Sequence, residues 1–177
     1  MDWGMNNRLA RIIKPDTGRT LMLAVDHGYF LGPTSGLEDA AKTIAPLLPY
    51  TDSLMLSRGI LRTSVDPEAN VPVVLRVSGG NSILDEDLSR EDITVSMKDA
   101  IKLNTSALAL SIYVGSPYQH QTLVNLAKLI DMGEEYGIPV LAVTAVGKNM
   151  VRDERYLSLA CRIAAELGAH MVKTYYC

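Results

Sequence analysis

The sequence predicts an α/β fold built on a parallel sheet. Short apolar runs alternate with segments whose apolar residues recur at helical spacing. The runs are apolar on nearly every residue, as strands covered on both faces must be. Polar residues sit where the runs end: Asp26, Arg58, Ser78, Asn81, Tyr113, Thr144 and Lys173. Parallel barrels assemble their sites in this way, from the C-terminal ends of several strands.

Residues 4–13 read as a short amphipathic helix with Leu9, Ile12 and Ile13 on one side, stopped by Pro15 and Gly18. Thr20–Val25 is the first strand. Ser35-Gly36-Leu37-Glu38 has capping-box spacing, and Leu37, Ala40, Ala41, Ile44 and Leu47 continue it as a helix. Ser53–Leu56 and Val71–Val77 are the next strands, the latter with Arg76 inside it. Residues 85–92 are acidic and polar and read as an exposed loop or short helix. A helix within Val95–Leu103 leads to the fourth strand, Ala107–Val114. Residues 119–136 carry Leu123, Leu126, Ala127 and Ile130 on one helical stripe, ended by Gly137 and Pro139. Val140–Val143 is the fifth strand and Thr144–Asp153 a loop. A helix marked by Tyr156, Leu159, Ala160, Ile163, Ala164 and Leu167 closes at Gly168, and the sixth strand carries Lys173.

Nothing interrupts this alternation, so residues 1–177 form a single domain. No Gly-x-Gly-x-x-Gly follows the first strand and no Walker loop occurs, which weakens a nucleotide-binding open sheet. A complete barrel needs eight strands and about 250 residues, however, and the chain has six candidate strands. On pattern alone it is part of a barrel or a six-stranded open sheet.

The 177 residues are enough for one core, and 47% apolar with 21% charged residues is a soluble globular composition. A formal charge of −3 gives no basic surface for nucleic acid. No run approaches the ~18 apolar residues of a membrane span, and the N-terminus lacks the blocks of a signal peptide. Cys161 and Cys177 make no disulfide framework, which fits a reduced, cytoplasmic setting.

Lys173 is the first chemical candidate. A neutral amine at a strand end attacks a carbonyl to form a Schiff base, and burial favours the neutral form. The bland alternative is a lysine that snorkels into solvent. Asp26, closing the first strand, suits a general acid/base, although an Asx turn is the plainer reading. His27 beside it is a substrate-binding candidate, and Gly28 lets the backbone turn closely. Arg58-Gly59 and Ser78-Gly79-Gly80-Asn81 present a cation and backbone N–H groups to an anion, or are simply tight turns. Tyr113 completes the candidate substrate-binding set of His27, Arg58, Ser78, Asn81 and Tyr113. Gly147-Lys148 resembles a phosphate loop in its letters only. The histidines His27, His120 and His170 lack metal-ligand spacing, so no metal site is expected. No Gly-x-Ser-x-Gly elbow is present, and neither Cys stands at a strand end with a His partner.

Four separated segments together resemble the archaeal-type class I aldolase family. They are Leu23-Ala24-Val25-Asp26-His27-Gly28-Tyr29, Arg58-Gly59-Ile60-Leu61-Arg62, Ala145-Val146-Gly147-Lys148-Asn149-Met150-Val151-Arg152-Asp153 and Val172-Lys173-Thr174-Tyr175-Tyr176. The resemblance spans essentially the whole chain and is strongest to the branch that processes autoinducer-2 phosphate. It implies a TIM (β/α)8 barrel, present here as about six strands and so C-terminally truncated, with phosphate-binding residues expected beyond Cys177. It implies Lys173 as the Schiff-base residue and Asp26 as general acid/base. The implied reaction is acetyl transfer from a phosphorylated hydroxypentanedione to coenzyme A, with no bound cofactor. The implied partners are that small phosphorylated ketone and coenzyme A, and the implied assembly is a ring-shaped decamer. Archaeal aldolases carry a tyrosine acid/base at the end of the fifth strand, where this sequence has Val143-Thr144-Ala145. That departure favours the thiolase branch over a fructose-bisphosphate aldolase-type lyase. The contrasting reading is a half-barrel that binds ligand at most, with an open edge, marginal stability and little activity.

Overall fold

The computed structural model describes residues 2–146 and 153–177. The element order is α1 (Trp3–Ile12), β1 (Met22–Ala24), α2 (Gly28–Leu31), α3 (Ala40–Ile44), β2 (Ser53–Ser57), α4 (Arg58–Ser64), β3 (Val73–Arg76), β4 (Ser78–Gly79), β5 (Asp92–Ile93), α5 (Met97–Lys102), β6 (Ala107–Val114), α6 (Gln119–Tyr136), β7 (Val140–Val146), α7 (Glu154–Glu166) and β8 (Met171–Lys173). β1, β2, β3, β6, β7 and β8 form one parallel sheet in that order. Each strand lies beside the one before it, with no reversal of order, as in a barrel wall. A doubly wound sheet has a switch point where the order reverses, and none occurs here. β1 and β8 are the edges, so the sheet is open. β4 and β5 make a separate antiparallel pair inserted between β3 and β6.

The period of two along each strand divides the core. On the inner face, Met55, Val74, Ala107, Ala109 and Leu141 pack with Ile12 of α1, joined by Met22, Ala24, Val143 and Met171. On the outer face, Leu75, Leu108, Leu110, Ile112, Val140 and Ala142 meet Ala100 of α5, Leu126, Leu129 and Ile130 of α6, and Ala160 and Ala164 of α7. Leu54, Leu56 and Val25 pack similarly against Ala40 and Ile44 of α3. α1 therefore plugs the N-terminal end of the inner face. Asp2 accepts from Met5 N at 2.7 Å to start that helix, and Arg8 Nη1 donates to Gly137 O at 2.9 Å to fix it under α6.

Some elements differ from the sequence expectation. Gly36 has φ 82°, so Ser35 cannot open a helix through it. α3 starts later, where Asp39 accepts from Lys42 N at 3.2 Å, and a 3-10 turn at Leu48–Tyr50 replaces its last turn. β7 runs on through Thr144 to Val146, because its ladder with β6 continues to the Val114↔Val146 pair. Thr144 is thus a buried strand residue on the outer face, with Oγ1 3.2 Å from Lys173 O. Residues 85–92 are not uniformly exposed, since Ser89 and Glu91 are buried. Gly147, Lys148 and Arg152 lie outside the described residues. Among the described residues no helix is long and apolar enough to cross a membrane.

Gly133 of α6 lies against the chain that leads into β7. A Cβ there would lie 2.6 Å from the Ile138 carbonyl oxygen and 3.0 Å from Val140 Cγ2. Alanine in a helix interior gains about 1 kcal/mol over glycine, but overpacking against backbone costs about 1–3 kcal/mol. Gly133→Ala is expected to destabilise the chain by about 1 kcal/mol despite its better helix propensity. Urea denaturation against the parent measures the sign.

Candidate active site

The inner-face alternation that begins with Met22, Met55, Val74, Ala107 and Met171 turns polar at the C-terminal strand ends. β1 continues Met22, Ala24, Asp26, and β3 continues Val74, Arg76, Ser78. β6 continues Ala109, Ser111, Tyr113, and β8 continues Met171, Lys173. Asp26 and Lys173 therefore share one face and one end of the sheet, on its two opposite edge strands. Val143↔Lys173 is the last pair of the β7–β8 ladder. Lys173 is exposed, where the sequence reading expects burial, because it lies on an edge strand that pairs only with β7.

Arg76 occupies the centre of the strand-end layer. It is 6% exposed and spends every guanidinium nitrogen on a partner. Nε donates to Ser78 O at 3.1 Å, and Nη1 to Asp26 Oδ2 at 3.2 Å. Nη2 donates to Glu91 Oε1 and Oε2 at 2.9 and 2.8 Å and to the Tyr29 hydroxyl at 2.7 Å. The guanidinium also lies over the Tyr29 ring, 4.9 Å from its centroid. Burial disfavours the charge on Arg76, but the combined fields of Glu91, Tyr29 and Asp26 outweigh it, and the net direction is upward.

Glu91 is the acid that this buried cation requires. Ser78 Oγ donates to Glu91 Oε2 at 2.6 Å, and the Tyr113 hydroxyl to Oε1 at 3.0 Å. Tyr29 also donates to Oε1, and Asn81 Nδ2 lies 3.4 Å from it. Glu91 immediately precedes β5. Glu91 faces the site, while Asp92 accepts from Asn125 Nδ2 of α6 at 3.0 Å. Burial holds both phenols, Tyr29 and Tyr113, above the ordinary tyrosine range; at Tyr29 Arg76 opposes this, and at Tyr113 Glu91 reinforces it.

Of the residues singled out in the sequence, Asp26, Ser78, Asn81 and Tyr113 thus converge on one network. His27 adjoins Asp26 and precedes α2 without a capping side-chain bond. Arg58 lies apart. It opens α4 and, with Arg62, binds half-buried Asp99 at 3.0 and 2.6 Å, the Arg58 hydrogen bond leading the effects that lower that carboxyl. Glu91 was hidden in an acidic run. The signal that could have found it is Arg76, a cation within the apolar strand Val73-Val74-Leu75-Arg76-Val77 that must have a buried counter-charge. Among the described residues no cluster of three His, Cys, Asp or Glu side chains is placed to hold a metal ion.

A family model described as DeoC/LacD family aldolase matches residues 20–177. The chain belongs to this aldolase family. Within it, the chain is 60% identical over 176 residues to a 3-hydroxy-5-phosphonooxypentane-2,4-dione thiolase of Photorhabdus laumondii, covering 99% of this chain and 60% of that protein. The thiolase of the same name from Klebsiella pneumoniae is also 60% identical, with 59% of it covered. The chain thus spans about 60% of the length of these curated relatives. Among solved structures, an archaeal fructose 1,6-bisphosphate aldolase matches with a TM-score of 0.80 at 26% identity, over 97% of this chain and 70% of that one. Another archaeal fructose-1,6-bisphosphate aldolase, whose catalytic Lys is covalently bound to the carbinolamine intermediate of the substrate, matches with a TM-score of 0.81 at 25% identity over 97% and 70%. The sheet is accordingly six strands of an aldolase-type barrel, as the sequence motifs imply.

Two stability effects follow from the network. Arg76→Leu leaves Glu91 charged and buried without its cation, and breaking such a pair costs about 3–5 kcal/mol. A large drop in urea midpoint is expected, whereas Arg58→Ala at the Asp99 pair should change it little. The phenols give a pH effect whose sign is fixed. The unfolded chain releases its tyrosine protons near the ordinary value of 10.0, before the folded chain releases those of Tyr29 and Tyr113. Stability is intact below that pH and falls above it, by about 1.4 kcal/mol per pH unit for each such phenol. Tyr113→Phe should make the decline shallower in urea titrations run from about pH 9 to 11.

Proposed function

We propose that this chain carries the Schiff-base half of a thiolase that moves an acetyl group from a small phosphorylated diketone to coenzyme A. The observation that carries the reading is the placement of Lys173 and Asp26 on one face and one end of the sheet, in a chain 60% identical to proteins named as that thiolase. The archaeal aldolase whose catalytic lysine is bound to a carbinolamine supports the lysine chemistry.

The substrate of this scheme is 3-hydroxy-5-phosphonooxypentane-2,4-dione. Lys173 Nζ adds to the C4 carbonyl, and the carbinolamine loses water to give an iminium. The coenzyme A thiol gives its proton to Asp26, and the sulfur adds to the C2 acetyl carbonyl. The C2–C3 bond then breaks, and its electron pair moves through C3 into the iminium to form an enamine. Acetyl-CoA leaves, C3 takes a proton from Asp26, and water releases dihydroxyacetone phosphate and the free lysine. Coenzyme A is a co-substrate in this scheme. The free thiols of Cys161 and Cys177 are consistent with a reducing, cytoplasmic setting.

A retro-aldol lyase would use the same iminium, and the structural neighbours named as fructose-bisphosphate aldolases give that reading its support. The higher identity to the thiolases favours acetyl transfer, as does β7, whose sequence Val-Leu-Ala-Val-Thr-Ala-Val has no tyrosine. Incubation with dihydroxyacetone phosphate and borohydride should add one reduced adduct, located on Lys173 by peptide mass and absent in Lys173→Ala. Asp26→Asn should slow trapping by about 10²–10⁴-fold. A folded chain that gains no adduct, or gains it on another lysine, refutes the assignment. Cleavage that depends on coenzyme A separates the thiolase from the lyase.

A further inference from the structure

The thiolase scheme gives Glu91 no step, yet this side chain is 1% exposed and collects donors from four elements. They are Arg76 of β3, Ser78 of β4, Tyr113 of β6 and Tyr29 of α2, with Asn81 at the margin. A buried carboxylate keeps its charge only where donors fill the lone pairs its cation leaves free, and here two phenols and a serine do so beside Arg76. The division of Arg76 between its two acids is also unequal. Glu91 has two contacts from Nη2, at 2.8 and 2.9 Å, while Asp26 has a single contact from Nη1 at 3.2 Å. The closer contacts fall on the more deeply buried acid, and the longer one on the acid assigned to proton transfer.

This division matters for a general base. An aspartate that held the guanidinium alone would be strongly stabilised as an anion and would take up a proton poorly. One with no arginine would lack a fixed direction. We propose that Glu91 is a positioning residue of the active site: by engaging most of the Arg76 charge, it leaves Asp26 aimed by one hydrogen bond yet free to accept and return protons. The proposal rests on the reading of Asp26 as the acid/base of the Schiff-base reaction. It adds a component, the β4–β5 excursion, that touches no substrate. Arg76 from β3 is the charged group that bonds Asp26, and His27 adjoins it in sequence. Lys173 shares the face from the far edge of the sheet.

The test reads the Asp26 carboxyl directly, by carbon NMR of the whole chain with ¹³C-labelled aspartate, the resonance being assigned through Asp26→Asn. Glu91→Gln keeps the shape of the side chain and removes its charge. Arg76 then acts on Asp26 undivided, and the like charge of Glu91 is gone. Both changes favour the Asp26 anion, so its titration midpoint should move to lower pH by about one unit, a tenfold change in proton affinity. Glu91→Asp keeps the charge and should return the midpoint toward that of the parent. Should Glu91→Gln fail to fold, Tyr113→Phe decides the matter. It removes one donor from Glu91 and leaves its charge less dispersed, so the Asp26 midpoint should rise. A midpoint unmoved or raised in Glu91→Gln, or unmoved or lowered in Tyr113→Phe, overturns the proposal and reduces Glu91 to a structural counter-ion. Borohydride trapping at Lys173 is measured in parallel. Its failure in the parent removes the thiolase reading, while the Asp26 midpoint still decides the role of Glu91.

Discussion

A positive charge inside the sheet is the constraint on which the strand-end architecture depends. Arg76 stands on the inner face of β3, with Val74 below it in the same column and Ala109 beside it in register. A guanidinium cannot remain there unmatched, because desolvating an isolated charge costs far more than the folding of a small domain provides. The groups that bond it come from three directions. Asp26 ends β1 toward it, α2 folds Tyr29 back across it, and the β4–β5 pair brings Glu91 down onto it. The same demand that secures the fold therefore also collects acids and phenols at the end of the sheet where the lysine emerges.

The fold was largely legible in the sequence because its signal is repetitive. Six apolar runs, most of them followed by a helix-spaced segment, place the strands of the main sheet in order, although α4 after the second run reads in the sequence only as a turn, and the period of two then sets which residues face inward. Asp26, Tyr113 and Lys173 were visible for the same reason, as polar residues at the end of a patterned run. The boundaries were less legible. The end of β7 is set by its ladder with β6, a contact between segments 32 residues apart at Leu108↔Val140, and no local propensity reports it.

Glu91 was illegible for a different reason. Asp85, Glu86, Asp87, Glu91 and Asp92 read together as a solvated stretch, and charge by itself does not reveal which member is buried. Only the partner identifies it. The short β5 strand, two residues long, also falls below the length at which alternation can be recognised. The exposure of Lys173 belongs in the same category, since it follows from its place on the edge of the sheet and not from any feature of its own segment.

The two acids that share Arg76 differ greatly in chain separation. Glu91 lies 15 residues from the arginine and Asp26 lies 50. Loop-closure entropy grows with the logarithm of that separation, so the nearer contact is easier to form by about 1 kcal/mol before any packing is counted. The β3–β5 segment thus neutralises its own cation as a local unit. The spacing of the two acids makes the counter-ion a local contact of Arg76 and Asp26 a long-range one.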